Sequence, residues 1–98
     1  MDKLNPEQVE AKIAELPQWA LNGESLQRTF NFDDFVAAIA FVNRVADLAE
    51  SMQHHPDIMI RYSKVTLTLT THDASGLTES DFSFAHASDS YVPAPEPA

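Results

Sequence analysis

Three of the four histidines in this chain stand where a fold can bring them together. His54 and His55 are adjacent, immediately before Pro56-Asp57, and His72 closes a run of alternating threonines. Imidazole has an unperturbed pKa of about 6.5, so it gives or takes a proton near neutral pH without a metal or redox group. Proton transfer is the chemistry these residues offer. Glu50 precedes His54 by one helical turn, a spacing that predicts the two on the same side of a helix. Taken singly, each histidine is more often incidental, as a surface residue in a turn or a partner for a backbone carbonyl. The constellation carries the signal, not any one member.

Other chemistries fit less well. Three histidines and a carboxylate are legitimate zinc ligands, but vicinal histidines before a proline lack the i, i+4 geometry of H-E-x-x-H. A metal site ranks second, and no metal or other cofactor is expected. The chain has no cysteine, which excludes disulfides, thiolate catalysis and iron–sulfur ligation. Its two glycines, Gly23 and Gly76, lie far apart, so there is neither a glycine-rich phosphate loop nor a nucleophile elbow. Six Lys and Arg stand against 15 Asp and Glu, a formal charge of −9. Such a surface repels phosphate backbones and anionic headgroups, which argues against nucleic acid and membrane as partners. The longest apolar run, residues 35–42, is far short of the roughly 20 residues that span a bilayer. The first six residues show no apolar signal core. With 98 residues and 44% hydrophobic content, the expectation is one small, soluble, cytoplasmic domain.

The elements that must position the histidines follow from periodicity. Asn5-Pro6 starts a helix in which Val9, Ile13 and Leu16 recur, ended by Pro17. Trp19-Ala20-Leu21 reads as a short strand, Asn22-Gly23 as a hairpin turn, and residues 25–32 as a second strand. Arg28 breaks the apolar face of that strand, which predicts an edge or a solvated patch above it. Asp33-Asp34 opens the longest helix, whose apolar stripe runs from Phe35 through Ala38, Val42 and Val45 to Ala49 and Met52. It must stop by His55, because Pro56 disfavours helix in the residue before it. Ile58, Ile60 and Tyr62 form a third strand, joined through Ser63-Lys64 to a fourth. In that fourth strand Val65, Leu67 and Leu69 face one way, and Thr66, Thr68, Thr70 and His72 the other. After a loop at residues 73–76, Thr78-Glu79-Ser80-Asp81 starts a last helix bearing Phe82, Phe84 and Ala85. The order predicts an α+β domain, a four-stranded antiparallel sheet with about three helices packed on one face. The domain is expected over residues 1–88, with residues 89–98 a proline-rich flexible tail. The threonine face of the sheet needs water or another subunit, so self-association through the sheet is also expected.

These residues resemble the signature of the pterin-4a-carbinolamine dehydratase family. It reads Glu50, three spacers, His54-His55-Pro56, the aromatic Tyr62, His72 and Asp81. Surrounding text agrees at Lys64-Val65, Thr71-His72 and Gly76-Leu77-Thr78, and the resemblance spans roughly residues 16–87. Two departures stand out: Ile58 and Met59 replace residues that are often aromatic in the family, and the proline-rich tail is not a family feature.

The resemblance implies a four-stranded sheet with helices on one side, in dimers or tetramers. It implies a hydro-lyase that removes water from a 4a-hydroxytetrahydropterin, with His54, His55 and His72 as the catalytic set. His54 and His72 would move protons around the 4a carbon, and His55 would polarise the leaving hydroxyl. Glu50, Pro56, Thr71, Asp73 and Ala74 would contact the substrate. Glu50 would accept from the paired N–H donors of the pterin edge, as a carboxylate does from Arg. Asp81 would orient His72 or fix the loop around Asp73 and Ala74, although it reads equally as a first-turn acid of the last helix. The implied role is recycling the pterin of an aromatic amino-acid hydroxylase. The alternatives are a non-enzymatic oligomeric interaction or coactivator module, as some relatives are, and action on another pterin, including in molybdenum cofactor metabolism.

Overall fold

The structure, a computed structural model, describes residues 2–93; residues 94–98 of the expected tail lie outside them. Helix α1 spans Pro6–Ile13, strand β1 Ala20–Asn22, β2 Ser25–Asn31, helix α2 Phe35–Met52, β3 Asp57–Arg61, β4 Lys64–Leu69 and helix α3 Glu79–Asp89, with a 3-10 turn at His72–Ala74. The four strands form one antiparallel sheet in the order β1-β2-β4-β3, and the three helices pack on one face, as expected.

Alternation in β4 does most to set the layers. Val65, Leu67 and Leu69 are fully buried and meet Leu26 and Phe30 of β2, Ala38, Phe41, Val45 and Ala49 of α2, and Phe82, Phe84 and Ala85 of α3. Removing one such side chain, as in Leu67→Ala, costs about 2–5 kcal/mol in cores of this kind. The other face is tied by polar pairs, Thr29 with Thr66 at 2.8 Å and Gln27 with Thr68 at 3.1 Å.

The structure departs from expectation in several places. Helix α1 ends at Ile13 rather than Leu16, because the chain tightens there: the Glu15 and Leu16 amides donate to Lys12 and Ile13 carbonyls. The tightening turns Leu16 into the core at 2% exposure. The first hairpin loop is Gly23-Glu24, one residue later than expected, with Gly23 at φ +61, a position where glycine carries no Cβ penalty. Strand β2 is interior, not an edge. Its Arg28 is accommodated by Asp89, whose Oδ1 accepts from Arg28 Nη1 at 2.7 Å, and by the Phe30 ring at 4.1 Å. Strand β4 stops at Leu69, not His72, since Thr71 pairs with Gly76 and the chain between them coils. Finally, the boundary expected after residue 88 falls inside the last turn of α3. Asp89 also accepts from the Trp19 indole at 2.9 Å, and Tyr91 lies under the Arg44 guanidinium at 4.1 Å. Residues 89–92 are therefore anchored to the domain.

Candidate active site

Pro56 disfavours helix at His55, and α2 yields two residues earlier. Met52 is its last residue, and Gln53 takes the left-handed conformation (φ 52, ψ 44). The His54 amide then reaches back to the Ala49 carbonyl at 3.1 Å, the long bond of a Schellman ending. This left-handed step decides where the two histidines go. His54 no longer continues the helix face of Glu50; it swings against α3, with Nε2 2.6 Å from Asp81 Oδ1. Glu50 instead meets the next residue, its Oε2 2.6 Å from His55 Nε2. The Glu50–His54 pairing expected from i, i+4 spacing is thus replaced by Glu50–His55, because the spacing rule holds only while the helix continues.

Asp81 is fully buried and has three donors. Its Oδ2 accepts from the Thr78 amide at 2.9 Å and the Thr71 hydroxyl at 2.8 Å, while Oδ1 takes His54. A buried carboxylate without partners costs several kcal/mol, so this set of donors is what makes the burial tolerable. Asp81 binds His54 rather than His72, which corrects one of its expected partners. It does fix the start of the following loop, through Thr71, and it is also the first-turn acid of α3. A carboxylate only accepts, so the imidazole donates from Nε2 and the neutral ring keeps its lone pair on Nδ1.

The loop behind His72 is set by the Thr71–Gly76 pairing, 3.0 Å from the Thr71 amide to the Gly76 carbonyl, and by left-handed Ser75 at φ 57. His72 and Asp73 stand exposed on this turn. A depression of about 280 Å³ results, lined by Gln53, His54, His55, Thr70, Thr71, His72 and Asp73. The structure therefore brings His54, His55 and His72 to one concavity, with Thr71 and Asp73. Glu50 stands beside it on His55. Asp81 lies behind it, and Pro56 and Ala74 are outside its lining. A larger cleft of about 480 Å³, lined in large part by aliphatic side chains of α1 and the first hairpin, holds no histidine; His54, His55 and His72 are all at the smaller one.

Gln53, Thr70 and Thr78 were not anticipated. Gln53 lines the depression because its left-handed backbone turns it there, and no residue type announces that. Thr78 had a signal, the Thr-x-x-Asp spacing to Asp81 that marks a helix start with a side chain reaching back.

A family model described as pterin 4 alpha carbinolamine dehydratase matches residues 2–91, and the chain belongs to that family. A relative from Acidobacterium capsulatum, provisionally named a pterin-4-alpha-carbinolamine dehydratase, is 53% identical over 85 residues, 87% of this chain and 92% of its own. One from Chloroflexus aurantiacus with the same provisional name is 52% identical over 89 residues, covering 91% and 96%. A crystal structure titled transcriptional coactivator/pterin dehydratase, from Brucella melitensis, superposes with a TM-score of 0.87 at 32% identity, covering 91% of this chain and 97% of that one.

Proposed function

We propose that this chain is a 4a-hydroxytetrahydropterin dehydratase working by histidine acid–base catalysis. The observation that carries the reading is the convergence of His54, His55 and His72 on one depression, with His54 held by a buried carboxylate. In the reaction the C4a–O bond breaks and the hydroxyl leaves as water after gaining a proton. N5 gives up its proton, and a C4a=N5 double bond forms, yielding quinonoid dihydropterin. One base and one acid suffice, both effective near neutral pH.

His54, with its lone pair on Nδ1, is suited to accept a proton. His72, on an exposed turn, is the partner in proton transfer, and His55 polarises the leaving hydroxyl. Glu50, Pro56, Thr71, Asp73 and Ala74 receive the pterin, and Asp81 positions His54 and Thr71. Glu50 uses Oε2 on His55, so accepting the two donors of the pterin edge requires that contact to open or be shared. The proposal extends to a homo-oligomer in the cytoplasm that serves an aromatic amino-acid hydroxylase.

The test is dehydration of enzymatically generated 4a-hydroxytetrahydropterin, followed by absorbance of the quinonoid product. His72→Ala is expected to lower turnover by about 10²-fold or more, the usual contribution of a positioned acid or base. Its melting temperature should not change, since His72 is exposed. Equal turnover in wild type and His72→Ala would remove the mechanism. No acceleration by folded wild type would favour the interaction-module reading, which the name of the Brucella protein also carries.

A further inference from the structure

Most of the polar hydrogens around the depression are already donated to the protein itself. Thr70 donates its hydroxyl to the Glu24 carbonyl at 2.8 Å. Thr71 donates to Asp81 Oδ2 at 2.8 Å. A hydroxyl has one hydrogen, so the 2.8 Å contact between Thr71 Oγ1 and Thr78 Oγ1 takes its hydrogen from Thr78. Both threonines that line the depression are left with lone pairs alone.

The imidazoles follow the same rule. Carboxylates only accept, so His54 donates from Nε2 to Asp81 and His55 from Nε2 to Glu50, each at 2.6 Å. The neutral rings keep their lone pairs on Nδ1. Asp73, exposed on the turn, is itself an acceptor. Two donors break the pattern. One is the second N–H of Gln53, whose first goes to the Glu50 carbonyl at 2.7 Å. The other is His72, the one lining imidazole that no carboxylate holds among the described residues.

We propose that the depression recognises its ligand through the ligand's own hydrogen-bond donors, and that the pterin it takes is therefore a reduced one. The ligand class rests on the pterin reading; the acceptor lining does not. A tetrahydropterin carries N–H at both N5 and N8, whereas in a fully oxidised pterin both nitrogens are bare acceptors. A bare nitrogen set against a lone pair makes no bond, and both groups lose the water that would have satisfied them. The reaction itself crosses this line. N5 enters as a donor and leaves as the imine nitrogen of C4a=N5, so a group that accepts from N5–H in the substrate faces a lone pair in the product. The lining thus holds the substrate more tightly than the product. His72, with neither ring nitrogen tied to a carboxylate, is the group that can supply a proton to the departing hydroxyl.

The first test needs no ligand. In nitrogen NMR at a pH where the rings are neutral, His54 and His55 are both expected as Nε2–H tautomers. A hydrogen on Nδ1 of either ring overturns the acceptor lining. The second test is calorimetric binding, without oxygen, of tetrahydropterin and of fully oxidised pterin. The reduced form is expected to bind about tenfold more tightly, the effect of one exchanged donor. Equal affinities, or tighter binding of the oxidised form, overturn the selection. Asp73→Asn adds N–H donors to the lining and lies on an exposed turn, so it should narrow that ratio several-fold at an unchanged melting temperature. A ratio equal to wild type overturns the part given to Asp73. If neither pterin binds while both rings show the expected tautomer, the pterin reading falls and the acceptor lining stands.

Discussion

Asp81 holds three donors that belong to three parts of the chain: His54 just past α2, the strand exit at Thr71 and the N-cap Thr78 of α3. Asn in its place has one accepting oxygen and an amide that faces a donor, so Asp81→Asn is expected to cost about 1–3 kcal/mol. Thermal denaturation would measure that loss, and kcat should fall with it because His54 loses the acceptor that sets its tautomer. A melting temperature equal to wild type would show that the carboxylate is not needed. At this scale the residue types were legible and their partners were not. His54, His55, His72 and Asp81 could be picked from the sequence, but which carboxylate meets which imidazole turns on one backbone step at Gln53 that side-chain spacing does not encode.

The elements read more easily because their signals are local. Asp34 accepts from the Ala37 amide at 2.8 Å and starts α2. Asp34→Ala should cost about 1 kcal/mol, a drop of about 4–8 °C for a domain this small, with KM and kcat unchanged. A change in KM would mean that the start of α2 is coupled to the histidines at its end. Ser75 holds a left-handed conformation beside His72. Ser75→Gly removes that penalty while loosening the unfolded chain, and the balance should stabilise by roughly 0.5 kcal/mol, readable as a higher denaturant midpoint. Strands β2, β3 and β4 were visible as alternation. Their ends were not, since β4 gives way to a 3-10 turn only because Thr71 finds Gly76 across the loop, a pairing that no periodicity contains.

Across the whole molecule, the four-stranded antiparallel sheet and the one-sided helix layer follow from where apolar alternation and helical stripes fall, and both were legible, whereas the interior place of β2 was not. The carboxyl-terminal boundary was not. Prolines at 93, 95 and 97 suggested a tail from residue 89, yet Asp89 ties Trp19 and Arg28 together across 70 and 61 positions of sequence. Long-range polar contacts of this kind leave no local trace. Asp89→Ala strands an indole N–H and the guanidinium of an Arg28 side chain that is only 12% exposed, with an expected cost of about 1–3 kcal/mol. Urea unfolding would measure it, and an unchanged midpoint would show that the tie contributes nothing. No described helix is long and apolar enough to cross a membrane.

Synthesis runs from the amino end, so His54 and Thr71 are both made before the carboxylate that holds them. A nascent chain that has reached the 3-10 turn already carries His54, His55 and His72 but not Asp81. Only when α3 is released can His54 and Thr71 close on Asp81. A message cut short ahead of the last helix is therefore expected to leave His54 and Thr71 without their common acceptor, and to give a product with no turnover rather than part of it.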